Sequence, residues 1–398
     1  MKTRITRLGA LALLTILVCS LALPAAAAKE EVTINVYNWG QYISDGSDDC
    51  IDVNAAFTEE TGIKVNYMTY DSNETMYTKL KTGGSAYDVI IPSDYMVARL
   101  IREGMLAEID YDNIPNYQYV GEEYRNTAYD PDNKYSVPYT WGMVGLIYNT
   151  KHVDAADVGS WDLLWNEKYK GKILMFDNPR DAFGIAELRL GYDLNTESTQ
   201  ELTAAADLLV TQKPLVQDYV MDQIFAKMER GEAWIAPYYA GDYLLMVQEN
   251  ENLAFNFPSE GFNLFIDAMC IPASSQNKEA AEAYINFLCR PDISGQNLDY
   301  LGYSTPITGA ADYMDPELAS SPIAYPDAET LSRGHSFLTL SAEATQHMDS
   351  QWLRVKTDGG NSALIIGAIG LVVVAAALLF VFLRRKQKKA KRRATYQK

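Results

Sequence analysis

From Val32 onward, short apolar runs alternate with amphipathic stretches along the chain. Residues 33–37 read as a strand, 49–60 repeat at helical spacing and stop at Gly62, and 63–68 read as the next strand. A helix over 74–81 is stopped by Gly83 and Gly84, and a buried strand at 87–91 leads into a helix over 95–103. A second set follows, with a strand at 172–176, helices over 181–190, 199–212 and 222–230, and a strand at 233–237. Residues 266–272 read as a further strand and 278–288 as a helix with Ala281, Ile285 and Leu288 on one face. Between the sets lies 135–145, rich in Pro, Gly and aromatics, which fits a crossing between two lobes. Such alternation predicts an α/β fold in which helices cover both faces of mostly parallel, doubly wound sheets. Ligands then gather at the carboxyl ends of the strands.

Both ends break this pattern. Residues 1–28 have a basic start, an apolar run and a small-residue close, the order of a secretory signal peptide. Residues 363–383 carry no charge and are long enough as a helix to span a hydrocarbon core of about 30 Å. The expected organisation is a signal peptide at 1–28, an extracytoplasmic domain at 29–358, a transmembrane helix at 362–383 and a basic tail at 384–398. The basic tail would stay in the cytoplasm, giving a single-pass protein of the cell membrane.

All 52 acidic residues lie between Lys29 and Asp358, while twelve of the 34 Lys and Arg belong to the two ends. The exported part therefore carries 22 basic against 52 acidic residues, a formal charge of −30. That surface repels phosphate backbones, so no nucleic-acid partner is expected, and it concentrates small cations. Cys50, Cys270 and Cys289 match no zinc spacing, and the latter two read as buried free thiols. Signatures of zinc hydrolases, nucleotide loops and nucleophile elbows are absent. The carboxylate-rich stretches 45–52 and 130–133 lack calcium-loop spacing and read as solvated turns. No cofactor and no metal site is expected.

The distinctive chemistry is aromatic residues beside carboxylates at strand ends. Trp39 and Tyr42 follow the first strand, Ser93, Asp94 and Tyr95 the third, and Asp181 opens a helix after 172–176. Tyr238, Tyr239 and Asp242 follow 233–237, and Phe265 and Asp267 flank Ile266. Ring faces that cover methylenes and attract ammonium groups, with carboxylates spaced to pair with its ends, suit a long flexible cation. Asp94 and Asp181 fall in first helical turns, where the helix dipole is expected to help keep them ionised. Taken singly, each of these residues also suits a helix cap or a core position.

At these residues the chain resembles the spermidine/putrescine-binding proteins of polyamine ABC importers, which have the type II periplasmic binding protein fold. The similar stretches are 37–42 (YNWGQY), 61–65, 72–81, 87–95 (YDVIIPSDY), 137–142 (VPYTWG), 285–292 and 301–306 (LGYSTP). The resemblance implies two lobes around a ligand cleft, with hinge closure and ABC permease subunits as membrane partners. Lobe 1 would comprise about 30–140 and 268–310, and lobe 2 about 141–267 and 311–358. It places Trp39, Tyr42, Ser93 and Tyr95 on the cleft wall and Asp181 and Asp267 at amine-binding carboxylate positions. Tyr303 matches directly, whereas Tyr239 and Phe265 stand where the family has tryptophan. Asn178 and Phe337 depart from an acidic residue and a glutamine common there, and Asp94 is a candidate for the missing charge. The expected function is non-enzymatic, membrane-tethered polyamine capture. The alternatives are a receptor of the same fold for a sugar or amino acid, a sensor with a cytoplasmic partner, and a carbohydrate hydrolase using Asp181 and Asp267.

Overall fold

The structure, a computed structural model, describes residues 31–83 and 86–357. The expected leader at 1–28, transmembrane helix at 362–383 and tail at 384–398 lie outside the described residues. Among the described residues, no helix is long and apolar enough to cross a membrane.

The first half begins with β1 (Thr33–Trp39), α1 (Val53–Thr61), β2 (Lys64–Tyr70), α2 (Asn73–Thr82), β3 (Val89–Ile90) and α3 (Asp94–Arg102). β2, β1 and β3 pair in parallel. Helix α1 starts later than the spacing predicts, because Asp52 accepts from Ala55 N and caps it while Asp48 and Asp49 turn through positive φ. Gly62, at φ 74°, ends it as expected. β3 is shorter than 87–91 because side chains take over at its ends. The Asp88 carboxylate accepts from Asn35 N at 2.8 Å, and the Ile91 carbonyl accepts from Trp39 Nε1 and Tyr70 Oη at 3.0 and 2.7 Å.

The aromatic crossing segment is one long strand, β4 (Ser136–Asn149). Its first part pairs antiparallel with β9 (Phe262–Cys270), and Val144 to Tyr148 pair antiparallel with β7 (Ile235–Tyr239). One strand thus serves both halves of the molecule. The second half holds β5 (Ile173–Phe176), α4 (Pro179–Leu190), α5 (Thr199–Gln212), β6 (Val216–Val220), α6 (Ile224–Glu229), β7, α7 (Ala240–Glu249) and β8 (Leu253–Asn256). Strands β6, β5 and β7 are parallel. The chain then returns through β9 to α8 (Lys278–Leu288) and α9 (Pro291–Leu301), which pack on the first half. It ends in the second half with β10 (Gly334–His335) beside β9 and α10 (Ala342–Thr357) against α5.

Across the whole sheet the order is β2-β1-β3-β9-β4-β7-β5-β6. Each half keeps three parallel strands, as expected of an α/β protein, but antiparallel β4 and β9 join them, so the sheet is mixed. One buried cluster packs Ile34, Val36 and Phe57 of the first half against Tyr284 and Phe287, and a second runs through both halves. Cys50, Cys270 and Cys289 are free thiols, and burial pushes Cys289 up to about 12. Asp130, expected in a solvated turn, is instead buried, where its carboxylate accepts from Lys134 N, Tyr135 N and Ser136 Oγ.

Candidate functional site

The carboxyl ends of the parallel strands in both halves open onto one cavity of about 720 Å³, measured out into its mouth. The end of β1 brings Trp39, the turn after it Tyr42, and the β3–α3 junction Ser93, Asp94 and Tyr95. In the second half, Asn178 caps α4 by accepting from Arg180 N, which sets Asp181 in the first turn facing the same space. The β7–α7 junction adds Tyr239 and Asp242, β9 adds Asn263, Phe265 and Asp267, and Tyr303 follows α9. Every residue singled out in the sequence, Tyr238, Asp242, Asn178 and Phe337 included, therefore lines this cavity.

Hydrogen bonds hold the walls in fixed rotamers. Tyr42 Oη donates to Asp267 Oδ2 at 2.7 Å, and Tyr239 Oη donates to Asp181 Oδ2 at 3.0 Å. Asn178 Nδ2 donates to the same Asp181 oxygen at 2.6 Å. Asn73 bridges Ser93 and Tyr95, donating to both hydroxyls at 3.1 Å, while Tyr95 Oη donates to Glu74 at 2.9 Å. Aromatic rings meet in pairs along the walls. Trp39 tilts against Tyr70 at 4.8 Å between centroids, Tyr239 meets Phe265 edge-on at 5.4 Å, and Tyr42 meets Tyr303 at 5.2 Å.

Six of the lining residues are aspartates, Asp71, Asp94, Asp181, Asp222, Asp242 and Asp267, and none is Lys, Arg or His. Arg180 does not line the cavity; its guanidinium lies over the Phe337 ring at 4.3 Å. Burial drives the carboxyl groups up, Asp94 and Asp242 to about 8, Asp181 to about 7 and Asp267 to about 6. The phenols of Tyr42 and Tyr239, beside Asp267 and Asp181, partly offset that rise. At Asp94 and Asp181 burial works against the help expected from the helix dipole and raises both carboxyl groups. Each is about 95% or more removed from water, and loss of hydration outweighs a dipole contribution of about 1 kcal/mol. Asp267 Oδ1 is buried and makes no hydrogen bond of good geometry, although the Ser93 hydroxyl stands beside the same carboxyl group. Such a site favours a ligand that brings donors and positive charge.

Tyr70, Asp71, Asn73, Met221, Asp222, Phe225 and Asn263 also line the cavity and were not singled out. Tyr70 ends a strand expected to stop at 68, Asn263 lies in β9 ahead of its expected start, and Asp222 follows β6, which has no clear alternating pattern. Their signal was positional, and it depended on strand ends. Among the described residues, no group of three or more His, Cys, Asp or Glu could hold a metal ion.

The model of the family described as bacterial extracellular solute-binding protein matches residues 53–326. The spermidine/putrescine-binding periplasmic protein of Salmonella typhimurium is 38% identical over 316 residues, covering 79% of this chain and 89% of that one. A putrescine-binding periplasmic protein of Pseudomonas aeruginosa is 31% identical, covering 88% and 99%. Among solved structures, the spermidine/putrescine ABC transporter substrate-binding protein of Streptococcus pneumoniae superposes with a TM-score of 0.68 at 37% identity, covering 82% and 98%.

Proposed function

The chain belongs to the family of bacterial extracellular solute-binding proteins, and on that premise we propose that it is the capture component of a polyamine ABC importer. The observation that carries this reading is the set of six aspartates, with no cationic side chain, inside a cavity walled by aromatic rings. A neutral sugar would bring no positive charge to pair with those carboxyl groups, and an amino acid would add a carboxylate of its own. A slender amine with several ammonium groups matches both the charge and the rings.

The roles divide between the halves. Asp267 and Asp94, beside Tyr42 and Ser93, form one ammonium subsite, and Asp181 with Asp242, beside Tyr239 and Tyr303, forms the other. Trp39, Tyr95, Tyr239 and Phe265 cover the methylenes between them. Because the subsites sit on different elements of a two-lobed fold, one ligand tied to both favours the closed arrangement, which an ABC permease would then receive. The relatives are binding proteins rather than enzymes, and capture without turnover replaces the hydrolase alternative.

The apolar run at 363–383, followed by the basic tail, would tether this domain to the membrane and hold it near its permease at high effective concentration. Titration calorimetry of the exported domain with putrescine and spermidine, with a neutral sugar and glutamate as controls, tests the ligand class. Saturable heat with an amine and none with the controls is expected; no saturable binding of either amine overturns the proposal.

A further inference from the structure

The segment between β10 and α10 runs along the edge of the cleft and touches both halves. Asn195 ties it to the second half, donating to Ser336 O at 3.0 Å and accepting from Leu338 N at 2.6 Å. Arg180 donates to Leu338 O at 3.2 Å, and Glu197 accepts from Ser341 N at 2.6 Å. From this anchored base Phe337 turns inward to line the cavity, meeting Tyr95 edge-on at 5.9 Å.

Two bonds then reach the first half. Thr339 Oγ1 donates to the backbone carbonyl of Tyr95 at 2.6 Å, and Arg102 Nη2 donates to Leu340 O at 3.4 Å. Tyr95 is the second residue of α3, so its carbonyl belongs to the same turn that presents Asp94 and the Tyr95 ring to the cavity. Thr339 itself does not line the cavity. Its hydroxyl acts only on the turn that does.

We infer that Thr339 is a positioning residue for ligand capture, a latch that fastens the second half to the ligand-bearing turn of α3 when the cleft is closed. Any bond made only in the closed form adds to ligand affinity, because the ligand selects that form. It slows release and leaves encounter unchanged. The inference rests on the polyamine reading and adds to it a residue outside the cavity.

The experiment compares the wild-type exported domain with Thr339→Val, Thr339→Ser and Arg102→Met, using putrescine and spermidine in calorimetry and stopped-flow release. Thr339→Val, which keeps the shape and loses the donor, is expected to raise Kd by about fivefold through faster release. The ligand-free melting temperature should stay within about 1 °C. Thr339→Ser is expected to restore wild-type affinity. Arg102→Met, at an exposed position and safe for folding, is expected to weaken binding in the same direction and less. Wild-type affinity in Thr339→Val, or equal losses in the Val and Ser variants, overturns the latch while leaving the ligand assignment intact. Failure of the wild type to bind either amine overturns the ligand assignment itself.

Discussion

The phenol of Tyr42 donates to one oxygen of Asp267 at 2.7 Å and leaves the other oxygen buried with no hydrogen bond of good geometry. The arrangement orients the carboxylate and leaves one oxygen open to a donor from a ligand. A buried acceptor left unmade costs roughly 1–3 kcal/mol, more when charged, and an ammonium group from a ligand would recover that cost.

Replacing Asp267 by Asn should therefore cut amine affinity by about 2–5 kcal/mol, roughly 30-fold to several thousand-fold, because an ammonium would be left unpaired in a closed cleft. The ligand-free melting temperature should hold or rise, since the amide has no charge to desolvate. Calorimetry beside a thermal melt separates the two effects; unchanged affinity removes Asp267 from the site.

Affinity should fall as pH drops from 8 to 5.5, because Asp94, Asp181, Asp242 and Asp267 take up protons over about 6 to 8 and must lose them to pair with ammonium. Binding should release protons, seen as a buffer-dependent heat at pH 7. The sign for stability is opposite. These folded-state values lie above the ordinary carboxylate range, so between pH 4 and 8 the folded chain binds more protons than the unfolded one. Ligand-free stability should be lost as pH rises through that window, and saturating amine should flatten the slope.

Gly241→Ala should weaken binding by about tenfold or more and lower the melting temperature, as overpacking a tight contact commonly costs about 1–3 kcal/mol. An added Cβ would lie 2.3 to 2.6 Å from three carbons of the Tyr303 ring, and that ring is itself boxed in at 4% exposure. Gly241 has no left-handed φ, so the restriction is steric alone. Wild-type affinity in this variant would show that Tyr303 has room to move.

A chain ended after Thr357 should appear in the soluble fraction, whereas the full chain should sediment with membranes, and both should bind amine equally. Cell fractionation with an antibody to the exported domain reads this directly; a soluble full-length chain rejects the tether.

Much of the cavity was legible because its key residues sit in local motifs. An aromatic next to a carboxylate at a strand end, as in Ser93, Asp94 and Tyr95 or Phe265 and Asp267, is visible within a few residues of sequence, and similarity to a known family placed Tyr303 with them. Asn263 and Asp222 escaped because each depends on where a strand begins or ends. β9 starts earlier than its apolar run, and β6 (VQDYV) is largely polar and partly exposed. The dehydration of Asp94 is hidden from the sequence for a different reason. The dipole of α3 is written in the local sequence, but the burial that opposes it involves residues far along the chain, Ile266 and Asp267 of β9 among them.

The order of apolar and polar residues settled the alternation of strands and helices, the acidic character of the exported domain and the kind of chemistry available, because these depend on near neighbours and on totals. Tertiary structure decided the rest. Only folding lets β4 pair with β9 and β7 at once and brings Tyr42 to Asp267 across 225 residues. Only folding removes water from four carboxyl groups so that they titrate near neutrality. Pairing register and dehydration are properties of distant segments packed together, and no window along the chain contains them.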